Sequence, residues 1–189
     1  MKQTIKTLLR DSLDIHTKVL QDEDTVSRIE KAAGMITAAL KSGNKILIFG
    51  NGGSAADSQH FATELVSRFQ KEREAYAAIA LTTDTSLLSA IGNDYDFSRV
   101  FARQIEALGC AGDVAFAIST SGGAKNVAAA VQTAKAKGLK TIALTGGTGG
   151  GLAQEADLAL IVPSKTTARI QEIHILIIHI ICQLIEDHA

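Results

Sequence analysis

The sequence predicts an α/β fold, a three-layer, doubly wound sheet of five parallel strands. Three observations predict it. Five short apolar runs, at 46–49, 76–81, 114–118, 141–144 and 158–162, alternate with stretches of helical spacing, as a parallel sheet covered by helices on both faces requires. The first and third runs pass straight into a turn of glycines and small hydroxyl residues, and then into a helical pattern. At 189 residues, 46% of them apolar, the chain has the size for one domain with a sizeable core.

In chain order, Ile5, Leu8, Leu9, Leu13, Ile15, Val19 and Leu20 have mostly helical spacing and predict a helix over about 3–21. Residues 22–25 offer N-caps, and Val26, Ile29, Ala33, Ile36 and Leu40 mark one face of a second helix to about Lys41. These form a helical extension over about 1–42, whose stripes suit the sheet or a partner subunit. Ile46 to Phe49 is apolar throughout, as a strand buried on both faces should be. It breaks at Gly50-Asn51-Gly52-Gly53-Ser54, ahead of a helix over about 55–68. A strand, a glycine turn and a helix start make an anion site, because free amides and the positive helix end both face the turn. The spacing matches neither a P-loop nor the dinucleotide fingerprint.

Residues 71–74 read as a solvated charged loop, 76–81 as the second strand, 92–95 as a turn and 97–108 as a helix capped by Gly109. The third strand runs into Ser119-Thr120-Ser121-Gly122-Gly123 and a helix over about 125–137. Three consecutive hydroxyls at a strand's carboxyl end suit a phosphate better than an apolar ligand. Residues 145–151 hold five glycines, in a mobile or close-packed loop. The last helix, about 167–186, is apolar almost all round and is therefore expected to be buried, in a domain core and an oligomer interface.

Composition narrows the function. A formal net charge of -1 with no basic run argues against non-specific nucleic-acid binding. Cys110 and Cys182 lack metal-like spacing and read as reduced, core or near-core residues, which fits a cytoplasmic protein. The first residues lack a signal-peptide core, and the apolar run at 173–181 is short for a membrane span and interrupted by His174 and His179.

Polar residues on two helices stand out. His60 and Glu64 are four apart and share a face, so together they suit a metal or a proton transfer, although an ordinary surface pair has the same spacing. Gln171, His174 and His179 lie in the apolar last helix. His174 reads as a core histidine satisfied by a backbone carbonyl. Gln171 and His179 are eight residues apart, roughly 12 Å along a helix. Either the site is elongated or the two serve sites completed by different subunits.

The segment Gly50-Asn51-Gly52-Gly53-Ser54-Ala55-Ala56-Asp57-Ser58-Gln59-His60-Phe61-Ala62-Thr63-Glu64-Leu65, with Ser119-Thr120-Ser121-Gly122 and Ala168-Arg169-Ile170-Gln171-Glu172-Ile173-His174, resembles the phosphoheptose isomerases. These are single-domain members of the SIS (sugar isomerase) superfamily, with a flavodoxin-like sheet. The resemblance covers nearly all of 1–189. It implies an aldose–ketose isomerisation of sedoheptulose 7-phosphate to D-glycero-D-manno-heptose 7-phosphate, at the start of ADP-heptose supply for lipopolysaccharide. It implies a cytoplasmic homotetramer that binds zinc, with active sites between subunits. The implied metal ligands are His60, Glu64, Gln171 and His179, and the implied catalytic pair is Glu64 and His179. Substrate contacts would fall on Asn51, Gly52, Gly53, Asn93, Asp94, Ser119, Thr120, Ser121 and Gln171, with Ser54 and Glu64 counted beside them. The pattern departs from the family at Ala124, where a phosphate-binding serine is usual. Ser54, the turn amides or Lys125 are the groups left to compensate. Two rivals remain at this level. Some related proteins bind the replication initiator without catalysis, but they lack the glutamate and the final-helix histidine. The other rival is an isomerase or sensor for a different sugar phosphate.

Overall fold

Successive residues of a strand face opposite sides of its sheet, and the strands of this chain are apolar on both. In the computed structural model, which describes residues 1–188, they are β1 (Ile46–Gly50), β2 (Ala78–Ala80), β3 (Val114–Ser119), β4 (Lys140–Gly146) and β5 (Leu158–Val162). All pair in parallel, in the order β2-β1-β3-β4-β5. Ile46 stands beside Val114, and Val114 beside Lys140.

The alternation divides the interior into two cores. Ile46, Ile48, Phe116, Ile118, Ile142 and Leu144 pack against α1 (Lys2–Gln21), α2 (Glu23–Lys41), α3 (Gly53–Val66) and α8 (Thr167–His188). Leu47, Phe49, Ala115, Ala117 and Ala143 face the other way, against α4 (Thr85–Asp94), α5 (Ala102–Leu108), α6 (Lys125–Ala136) and α7 (Leu152–Glu155). This is the three-layer α/β architecture expected. Helix α8 is, among the described residues, the one helix long and apolar enough to cross a membrane. It is instead a partly buried core helix, with Ile170, Ile173, Ile177, Ile178, Ile181 and Ile185 against the sheet core.

Several local expectations change. Strand β2 is three residues long rather than six, because it pairs only with β1 at the sheet's edge. Residues 92–94 complete α4 instead of forming a turn. The helix expected at 97–108 is split into a 3-10 turn (Phe97–Arg99) and α5. The glycine-rich loop after β4 is close-packed and includes the short α7. Cys110 is exposed rather than near the core, whereas Cys182 is buried. Residues 71–74 are not uniformly solvated. Arg73 turns inward and pairs with Glu186 of α8, leaving only 12% of its side chain exposed.

Candidate active site

The strand order fixes where a ligand can enter. From β1 the chain crosses through α3 to β2 at one edge, and from β3 it crosses through α6 toward β4 and the other edge. The crevice of such a sheet lies at the carboxyl ends of the two strands that part, here β1 and β3. Both hydroxyl-glycine turns stand there. They are joined by a reciprocal amide pair: Asn51 Nδ2 donates to Asn126 Oδ1 and Asn126 Nδ2 donates to Asn51 Oδ1, each at 2.8 Å. Asn126 was not singled out from the sequence. Its position in the first turn of α6, just after the hydroxyl turn, is the signal that points to it.

At the β3 turn, Ser119 is buried and its Oγ accepts the Gly122 N–H at 3.2 Å. The Ser121 Oγ accepts the Gly123 N–H at 3.3 Å, and Ser121 is exposed. A hydroxyl that accepts an amide keeps its own proton to donate, so both suit an anion. Thr120 is half-buried between them. Ala124 sits at the N-cap of α6 without a side-chain cap, and with the Val127 N–H taken by Asn126 Oδ1 at 3.0 Å the amides of Lys125 and Asn126 are left to solvent or a ligand.

At the β1 turn, Asn51, Gly52 and Gly53 are exposed and Ser54 is buried. A Cβ on Gly53 would lie 2.1 Å from Nε2 of Gln171, so the end of the Gln171 side chain, from α8, rests against this turn. Asn93 and Asp94 end α4 in the opposite layer. Both are exposed, and the Asn93 amide donates to Asp94 Oδ1 at 2.8 Å.

Because Gly53 meets Gln171 and His60 meets His179, α3 and α8 run side by side in the same direction. His60 Nε2 lies 2.9 Å from His179 Nε2 and 3.2 Å from Glu64 Oε1. One ligand atom from each of His60, Glu64 and His179 lies within 4.8 Å of the others, an arrangement able to hold a metal ion. Gln171 instead lies against the start of α3, seven residues before His60, about 10 Å along the helix axis. Three of the four expected ligands therefore converge in one chain, and the fourth stands with the glycine turn.

Two further groups border the cluster. Asp57, one turn before His60, has a buried Oδ2 without a hydrogen-bond partner. Burial raises its pKa, and the nearby His60 opposes the shift. Burial pushes the Cys182 thiol up to about 12, helped by Glu64 and Glu186, and the converging ligand atoms are those of His60, Glu64 and His179.

His174 has the structural role expected of it. It is fully buried, with Nε2 3.1 Å from the Thr145 carbonyl. Burial brings its pKa down to about 4, against the hydrogen bond to Thr145. The unfolded chain therefore takes up the proton first, and stability falls as pH drops from about 6.5 toward 4. The loss below that window is about 3 kcal/mol at 1.36 kcal/mol per pKa unit. Thermal melts across this range should show a shallower acid limb for His174→Gln, whose amide still donates to Thr145. An unchanged limb would locate the titration elsewhere.

Comparison with known proteins identifies the family and its fold. The SIS domain family matches residues 10–146. A phosphoheptose isomerase of a Geobacter species is 54% identical over 186 residues, spanning 98% of this chain and 96% of that one. The Aquifex aeolicus phosphoheptose isomerase is 51% identical over 187 residues, spanning 99% and 97%. The solved phosphoheptose isomerase of Neisseria gonorrhoeae superposes with a TM-score of 0.93 at 44% identity, over 98% of both chains. With this identity maintained from the first helix to the last, the chain belongs to the phosphoheptose isomerase family of SIS-domain proteins.

Proposed function

We propose that this chain interconverts sedoheptulose 7-phosphate and D-glycero-D-manno-heptose 7-phosphate, the step that opens ADP-heptose supply, in the crevice between the β1 and β3 turns. The observation that carries this reading is the meeting of His60, Glu64 and His179 from two helices whose neighbouring turns offer hydroxyls and free amides.

The reaction moves a proton from C1 of the ketose to C2 through an enediol, while the O1 proton passes to O2. Glu64 is the base that takes the C1 proton and returns it to C2. His179 moves the proton between the oxygens. Ser119, Thr120, Ser121 and the first amides of α6 hold the phosphate, aided by Lys125 where Ala124 offers no hydroxyl. Asn51, Gly52, Gly53, Ser54 and Gln171 line the sugar's side, and Asn93 and Asp94 approach from α4. The phosphate anchor then positions the distant carbons for reaction.

The donor set suits zinc. Ligands of one tetrahedral zinc, at about 2 Å from the metal, lie about 3.3 Å from each other, near the 2.9 and 3.2 Å separations here. Zinc would supply a charge that polarises the carbonyl and stabilises the negative charge developing on it. A ligand role for Gln171 requires a second copy of the chain near the trio. That fits a homotetramer, for which Ile5, Leu8, Leu9, Leu13 and Leu20 offer an exposed apolar stripe on α1. We take residues 1–189 as one cytoplasmic SIS domain, with about 1–42 as its helical extension.

The test is turnover. Zinc-loaded protein incubated with sedoheptulose 7-phosphate should give the aldose product by NMR. Chelation should abolish turnover and added zinc restore it. No product from zinc-loaded, correctly assembled protein would refute the reading and turn attention to replication-initiator binding or another sugar phosphate.

A further inference from the structure

We propose that Arg73, through its pairing with Glu186, is a positioning residue for the metal-binding cluster: it fixes the spacing of α3 and α8 on which the meeting of His60, Glu64 and His179 depends. The inference rests on reading that cluster as the metal site of the isomerase.

A helix ends with carbonyls that have no partner inside it. At the end of α3, Arg73 supplies donors. Its Nη2 donates to the Glu64 carbonyl at 2.8 Å and its Nη1 to the Leu65 carbonyl at 2.9 Å. Nη1 also donates to the Glu74 carbonyl at 2.9 Å, and Nε donates to Glu186 Oε1 at 3.2 Å. The guanidinium stacks over Tyr76, 4.1 Å from the ring centroid. The side chain of Glu186, on α8, is 1% exposed. Its carboxylate accepts the backbone N–H groups of Phe69, Gln70 and Lys71 at 2.8, 2.9 and 3.0 Å. The segment after α3 is thus wrapped around a carboxylate of α8 and plugged into the end of α3 by one side chain.

Both ends of this clamp reach the cluster. Glu64, whose carbonyl Arg73 holds, carries the carboxylate beside His60. Phe69, whose N–H Glu186 holds, has its ring 5.6 Å from the His179 ring, which is itself 5.1 Å from the His60 ring. Burying a charged pair adds little net stability, since desolvation offsets attraction. Fixed geometry is what this one contributes. Lysine can substitute only in part, because four acceptors in different directions require the planar fork of arginine.

The experiment titrates metal-free protein with cobalt(II), read by visible absorption with zinc in competition, and measures kcat and KM for sedoheptulose 7-phosphate. Arg73→Met and Glu186→Gln are expected to weaken metal binding by about ten- to a hundredfold and to lower kcat. KM should stay within about twofold, because the phosphate turn is untouched. Arg73→Lys should fall between. Lys45→Met is the control. It removes the 2.6 Å pair with Asp113 at the sheet's amino end, and should lower Tm without changing cobalt affinity. Wild-type cobalt affinity and kcat in Arg73→Met, with only Tm reduced as in the control, would make Arg73 merely structural. Should Arg73→Met not fold, the near-isosteric Glu186→Gln decides by the same criteria. Wild-type protein that binds no cobalt or zinc would overturn the metal-site reading, and this inference with it.

Discussion

Replacing Glu64 by glutamine is expected to lower turnover of sedoheptulose 7-phosphate by about a thousandfold, within the range for a positioned general base. The substitution separates two roles that meet in one side chain. Glu64 lies 3.2 Å from His60 and is grouped with His179, so it suits metal ligation. It is also our base at carbon. Glutamine keeps a carbonyl oxygen at nearly the same position and can still ligate, but cannot take a proton from C1. If the base role is correct, Glu64→Gln loaded with cobalt at saturating concentration still fails to exchange the C1 proton with solvent, followed by NMR in deuterated water. If the residue is only a ligand, the loss of exchange should follow from an emptier site, and zinc at saturating concentration should restore exchange by refilling it. Substantial exchange in the metal-loaded variant would remove Glu64 from the chemistry.

The difference between these roles also shows what the sequence could and could not reveal. The apolar runs of β1, β3, β4 and β5 were legible because strands buried on both faces need no partner to be recognised. The shared face of His60 and Glu64 was legible for the same local reason, their spacing of four residues. Residues that depend on distant neighbours were not. Arg73 read as one charge in a solvated run because its partner Glu186 is 113 residues away. The Asn51–Asn126 pair spans 75 residues and joins turns that only the sheet order brings together. The divergence of Gln171 from His179 was visible as helical distance, but the target of Gln171, the backbone at Gly53, was not. Edge strand β2 was overextended because Tyr76, although apolar enough for a strand, lies under the Arg73 guanidinium instead.

Gly122→Ala is expected to destabilise the protein by about 2–4 kcal/mol, whereas Gly123→Ala one residue later should be nearly silent. At Gly122 the backbone is in the left-handed region, with φ +64, and an added Cβ would lie 1.9 Å from the Gly149 carbonyl oxygen. The first feature alone costs about 1 kcal/mol or more for any other residue, and overpacking adds about 1–3 kcal/mol. The obstructing atom is backbone, so no side-chain rotation relieves it. A Cβ added at Gly150, on the facing loop, would lie 2.7 Å from the carbonyl oxygens of both Ser121 and Gly122, and the Leu152 N–H donates to the Gly122 carbonyl at 3.1 Å. The loops after β3 and β4 are therefore locked together, and separating them moves Ser121 and the first turn of α6. At Gly123 the nearest obstruction to a Cβ is the Ser121 hydroxyl at 3.8 Å, an ordinary contact. Thermal melts should place Gly122→Ala about 10 °C below wild type, at about 2–4 °C per kcal/mol for a chain of this size. Its KM for the sugar phosphate should rise, while cobalt affinity at the α3–α8 cluster stays near wild type. Equal Tm and KM effects for the two alanine variants would show that the second glycine loop does not hold the phosphate turn.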